Sequence, residues 1–294
     1  MAHVAKPVEP AELVATWRAR RDGRRRASSL ATPPLKLALL LAALGAAPAL
    51  SAQSVEPASS SLTEASIPEP YQDPARAAAL LLRLIAAHPE RYDLHLAAAR
   101  ELTALGILGD TRAEREVRLW EAVTVGRAAV ALDSADAAGH YWLAAALGLA
   151  ADQAGGLAKI NFAREAYTET MKTLAIAPDH AGGHHILGRL HAGGLRLNRL
   201  NRLIARGLGL GMILSTASWE SAEADLRFAL ETDPDPLVHS VELAKLLLSR
   251  KRPAEGVAIL ADVAGRTARH ALDAHSIEEA RRLLDGAAGT TSRR

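Results

Sequence analysis

From residue 74 onward, apolar side chains recur at spacings of three and four, and short Gly, Pro and Asp clusters interrupt them. No stretch alternates as a strand does. The pattern predicts helices near 74–87, 92–108, 112–132, 136–151, 157–176, 181–192, 196–209, 217–231, 237–250, 254–265 and 276–285. Asp73-Pro74 has an N-cap followed by a proline suited to the first helical position. Thr111 with Glu114, and Ser276 with Glu279, have the spacing of capping boxes.

The helices repeat. "ALETDPDP" (Ala229–Pro236), "TLAIAPDH" (Thr173–His180) and "AVALDSAD" (Ala129–Asp136) each end one helix and begin the next. Seven residues before each stands a small residue: Ala222, Ala166 and Ala122. Seven residues is about two turns, so each pair shares a face that admits a neighbouring helix closely. His184, Leu187, Gly188 and His191 occupy the W-x-x-L-G-x-x-Y positions of a tetratricopeptide repeat, and Leu143-Ala144 and Leu243-Ala244 take its L-G positions. Ala122 to Ala166 is 44 residues and Ala166 to Ala222 is 56, against about 34 for a standard repeat. The excess falls between the two helices of a pair, in Ala151–Phe162 and Ala192–Ser218. The expected fold is therefore all-α: a tetratricopeptide-like α-solenoid of about four helix pairs with two long intra-pair insertions, spanning 73–288 before a disordered tail, 289–294.

This arrangement resembles the regulator of microtubule dynamics family, which has bacterial relatives. The matching segments are His140–Gly148, Gly155–Arg189, Arg199–Arg206 and Ala217–Pro234, within a resemblance covering Asp73 to Gly265. The repeat turns are generic; the two insertions make the resemblance specific. It implies a helical protein with no catalytic residues to carry over. Eukaryotic members are linked to microtubules, but an export signal and an Ala/Leu/Arg-rich composition point to a bacterial source and away from tubulin.

Composition supports the helical reading. Apolar residues are 49%, mostly Ala and Leu, and aromatics are 3%. Cysteine is absent, which excludes disulfides, thiolate zinc sites and a cysteine nucleophile. Of 35 basic and 33 acidic residues, eight and three fall in residues 1–52, so the body is slightly acidic and carries no nucleic-acid footprint. Within 1–52, the Arg18–Arg26 cluster and Lys36 precede the apolar run Leu37–Leu50 and then "SAQS", the pattern of a signal peptide cleaved near Ala52. Export, to the periplasm, is expected; the alternative is tethering by residues 37–50. Residues 53–72, rich in Ser, Pro and Glu, read as a flexible tether.

Candidate chemistry is sparse. "HAGGHHILGRLHAGG" (His180–Gly194) holds four histidines. His184 and His191 are about 10.5 Å apart along a helix, too far for one metal to bridge, and no H-E-x-x-H occurs. They are candidate packing or groove residues together with Trp142, and no metal or cofactor is expected. Arg196, Arg199, Arg202 and Arg206 share one helical face, Leu197, Leu200, Ile204 and Leu208 another, and no acid occurs from Ala192 to Thr216. Such a helix packs on the repeats with a basic rim, or meets an acidic partner or an anionic membrane surface. "GLGLGMIL" (Gly207–Leu214) reads as a packed or lipid-adjacent linker. "GGLAK" (Gly155–Lys159) lacks P-loop spacing, and no G-x-S-x-G occurs. The function expected is a protein- or peptide-binding scaffold. A peripheral membrane adaptor and a metal-binding or enzymatic protein are the alternatives.

Overall fold

The chain divides into two units, residues 1–62 and 63–294. The computed structural model describes residues 67–291, with side chains to residue 287, so the expected signal or anchor and most of the tether lie outside the described residues. The described residues are helices and short connections, with no strand among them.

The helices are α1 (Pro74–Ala87), α2 (Tyr92–Leu108), α3 (Arg112–Leu132), α4 (Ala137–Gln153), α5 (Gly156–Ile176), α6 (Ala181–Leu195), α7 (Arg199–Ala205), α8 (Gly211–Thr216), α9 (Trp219–Thr232), α10 (Leu237–Ser249), α11 (Pro253–Gly265) and α12 (Ala271–Thr291). A π-helical turn, Arg206–Leu210, joins α7 to α8. The start signals act locally. Asp73 accepts a hydrogen bond from the Arg76 N–H, and Thr111 and Glu114 close a reciprocal capping box. The Ser276–Glu279 box does not form. α12 begins at Ala271, where the His270 ring accepts from the Asp273 N–H, and Ser276 is buried inside the helix. At its other end α12 runs to Thr291, into the stretch expected as tail.

Four pairs stack in order: α2/α3, α4/α5, α6/α9 and α10/α11. Ala122, Ala166 and Ala222, with Ala129, Thr173 and Ala229 two turns on, are all fully buried at these contacts. Gly188 marks the closest approach of a glycine to a neighbouring backbone among the described residues. A Cβ there would lie 2.9 Å from the Ala222 carbonyl oxygen and from Leu226 Cγ. The first helix of each pair also touches the first helix of the next, in the series α2, α4, α6, α10 and then α12. The second helices make no comparable row; α3 and α5 are linked by the two-point Arg127–Glu165 ion pair at 2.7 and 2.8 Å. The first helices therefore form the inner wall of a curved stack.

The two ends of the stack meet. α12 contacts α2, and the segment before α1 seals the junction. The Tyr71 N–H donates to Glu101 at 3.3 Å, its carbonyl accepts from the Ala271 N–H, and Gln72 donates to the Arg269 carbonyl. Arg100 stacks over the Tyr71 ring, and His270 packs on it at 5.2 Å. Tyr71 adopts φ +63°, an uncommon conformation for a non-glycine residue.

The insertions differ in kind. The first lengthens α4 and α5, leaving a turn at Ala154 and Gly155. The second is a separate layer. The continuous helix expected over 196–209 is broken: α6 runs to Leu195, Arg196 is its C-cap, and a short α7 follows. Gly209, at φ +94°, turns the chain within the π-helical segment. Ala205, Leu210, Ile213 and Leu214 bury this layer against Tyr167, Ile160 and Ala163 of α5 and Leu187 and Leu190 of α6. No described helix is long and apolar enough to cross a membrane.

Candidate functional site

His184 and His191 are engaged within the α6/α9 pair. His184 Nδ1 lies 2.9 Å from Asp225 Oδ1, its Nε2 lies 2.9 Å from the Pro178 carbonyl oxygen, and its ring packs on Phe228. His191 is buried, with Nδ1 3.6 Å from the other Asp225 oxygen and Ser221 and Thr216 beside it. Neither histidine lines the inner wall. His140, at the repeat position of His184, makes the same bridge one pair earlier. Its Nδ1 is 2.5 Å from Glu169 and its Nε2 is 3.1 Å from the Ser134 carbonyl oxygen. In both copies the carbonyl belongs to the residue six before the histidine, and the carboxylate sits on the second helix of the pair. Among the described residues, no three His, Cys, Asp or Glu side chains converge as a metal cage. Trp142 is half-buried against the apolar core that α1 to α5 share, its ring 4.7 Å from that of Tyr141.

The arginines of the second insertion separate. Arg196, Arg199 and Arg206 are exposed, whereas Arg202 folds back, donating to the Leu195 carbonyl and leaving its Nε buried without a partner. The apolar stripe splits, with Leu197 packed on the buried side of the insertion and Leu200 and Ile204 turned to water. Leu200 is 66% exposed and Ile204 47%, while Leu197 and Leu208 are half-buried.

The inner wall carries polar chemistry that the sequence reading missed. Asp152 (α4), Arg189 (α6), Glu242 and Lys245 (α10) and Glu279 (α12) form a continuous ladder. Its contacts are 2.8 Å for Arg189–Asp152, 3.7 Å for Arg189–Glu242, 2.6 Å for Lys245–Glu242 and 3.1 Å for Lys245–Glu279. Burial opposes ionisation of Glu242, but Arg189 and Lys245 outweigh it and hold the carboxyl at about 2. Beside the ladder lies a cleft of about 250 Å³, walled by Asp152, Arg189, Arg196, Glu242 and Lys245 over an apolar floor of Ala192, Leu226 and Leu246. The available signal was register: Arg189 and Lys245 each stand two residues after the repeat leucines, Leu187 and Leu243. Next to the ladder, His185 and His239 meet in the buried contact between α6 and α10, their Nδ1 atoms 2.9 Å apart. Burial pushes both imidazoles down, His239 to about 4.

Stacked helix pairs with small residues at the repeat contacts and one continuous inner wall define a tetratricopeptide-like helical-repeat protein. A thermophilic tetratricopeptide-repeat protein of Thermus thermophilus has this fold: it superposes with a TM-score of 0.50 at 21% identity, over 72% of this chain and 91% of that one. Residues 64–288 match the profile of regulator of microtubule dynamics protein 1-3, and the chain belongs to that family. Two structures of IFIT1 with capped RNA fragments superpose at TM-scores of 0.41 and 0.40 and 16% identity, over 67% of this chain and 47% of theirs. No curated protein sequence matches.

Proposed function

We propose that this chain is a non-enzymatic, protein-binding scaffold, exported or membrane-tethered through residues 1–52, whose inner wall takes a peptide or helix of a partner. The observation that carries this reading is the ladder on the inner wall. Four successive inner helices present alternating charges beside an apolar-floored cleft, a surface that reads a partner's polar groups and accepts one of its apolar side chains. The family and fold support a scaffold role. The histidine bridges give no reason to invoke catalysis, because their partners hold the helix pairs together. The charge pattern of residues 1–52 supports export or tethering.

The test is crosslinked capture through a C-terminal tag in the source cells, with N-terminal sequencing of the captured chain. An N-terminus near Gln53 with one enriched protein partner is the expected result. An intact leader with no enriched protein would contradict the exported-scaffold reading.

A further inference from the structure

The second insertion has two faces, and only one is used. Ala205, Leu210, Ile213 and Leu214 bury it on α5 and α6. The opposite side shows water Leu200 (66% exposed), Leu203 (68%), Ile204 (47%) and Met212 (69%), four large aliphatic side chains within 13 residues. Most of the other large exposed apolar residues among those described are scattered singly, as on ordinary surfaces. Leu157, also exposed, stands one turn before Ile160, which packs against this layer. Arg196, Arg199 and Arg206 flank the aliphatic residues, and no carboxylate pairs with them among the described residues; Lys159 adds a further exposed cation on α5. The body as a whole is slightly acidic, so this concentration of unpaired positive charge is local.

We propose that this face docks on an anionic lipid surface, with Leu200, Leu203, Ile204 and Met212 entering the boundary of the acyl chains and Arg196, Arg199 and Arg206 at the headgroup phosphates. Charge complementarity selects the occupant. The patch is uniformly basic and aliphatic and lacks the aromatic anchors that concentrate energy in protein interfaces. A lipid surface needs only apolar area and positive charge, both present here. The absence of acid from Ala192 to Thr216 lets the whole insertion approach the negative surface without repulsion. The scaffold reading does not depend on this docking: the ladder lies on α4, α6, α10 and α12, and Arg196, which walls the cleft beside it, is the one residue the two surfaces share.

The chain has no cysteine, so one introduced thiol gives a single labelling site. The test uses the full chain carrying an environment-sensitive fluorophore at Leu203→Cys, with Ala261→Cys on α11 as control. Vesicles of phosphatidylcholine are compared with vesicles that also contain phosphatidylglycerol. Because the readout is local, binding through residues 37–50 cannot imitate it. The expected result is a blue shift, with quenching by bilayer-embedded quenchers, at 203 but not at 261. It occurs with the anionic vesicles only and is suppressed by salt. Arg199→Gln with Arg206→Gln weakens it by about thirtyfold, the effect of two surface charges. A label at 203 that stays in water while the chain sediments with vesicles overturns the proposal. So does a shift that appears without lipid and grows with protein concentration, which would assign the face to a second copy of the chain.

Discussion

At the scale of the residue, the repeat uses histidine where planar aromatic packing is usual. His140 and His184 each tie a turn carbonyl to a carboxylate on the second helix of the pair. Removing one partner of a buried pair leaves the other unmet, so Glu169→Ala lowers stability by about 3 kcal/mol. Asp225→Ala, at a more exposed copy, costs less. Urea midpoints measure both, and equal losses would contradict the burial argument. The His185–His239 contact predicts a pH dependence. His239 titrates at about 4 in the fold and near 6.5 unfolded, so the unfolded chain binds its proton first. The stability this group contributes is present above pH 6.5 and is lost as pH falls toward 4, roughly 3 kcal/mol in all. His239→Leu reduces the slope in thermal melts taken between pH 7 and 4, and His185, which burial also holds down, keeps the remainder. The sequence placed His184 in its repeat position but could not show its acceptor, 41 residues away on another helix. His140 was equally visible by register, 44 residues earlier.

At the scale of the element, helix positions and the small-residue contacts were legible because both depend on local spacing. Gly188 shows how tight those contacts are. Gly188→Ala pushes a methyl group against the Ala222 carbonyl and destabilises by about 1–3 kcal/mol, although Ala144 and Ala244 fill the same repeat position elsewhere. Calorimetry decides it, and an unchanged melting temperature would mean the α6/α9 pair can spread freely. The second insertion was less legible. Its arginine and leucine periodicities were real, but periodicity does not record that Gly209 would turn the chain or that Ala205, not Leu200 and Ile204, would face the repeats. Gly209→Val strains a positive-φ position. Limited proteolysis then cuts faster within 199–216 while the global melting temperature changes little.

At the scale of the molecule, the order of helices was readable from the repeats, but the closure of the stack was not. Residues 67–72 carry no periodicity, and their role comes from α2 and α12, which are distant in sequence and meet only in the fold. Tyr71→Ala removes the ring between those ends and costs roughly 1–2 kcal/mol. Faster amide exchange concentrated at the start of α12 and in α2 is the expected signature. The charge ladder was hidden for the same reason, since its members become neighbours only when the inner helices stack. The claim that this inner wall binds the partner is tested most directly by photocrosslinking amino acids placed singly at Asp152, on the wall, and at Glu165, on the second-helix side. A discrete protein adduct from position 152, absent from 165, is the predicted result. Adducts from 165 with none from 152 would contradict it and move the binding surface to the outside of the stack.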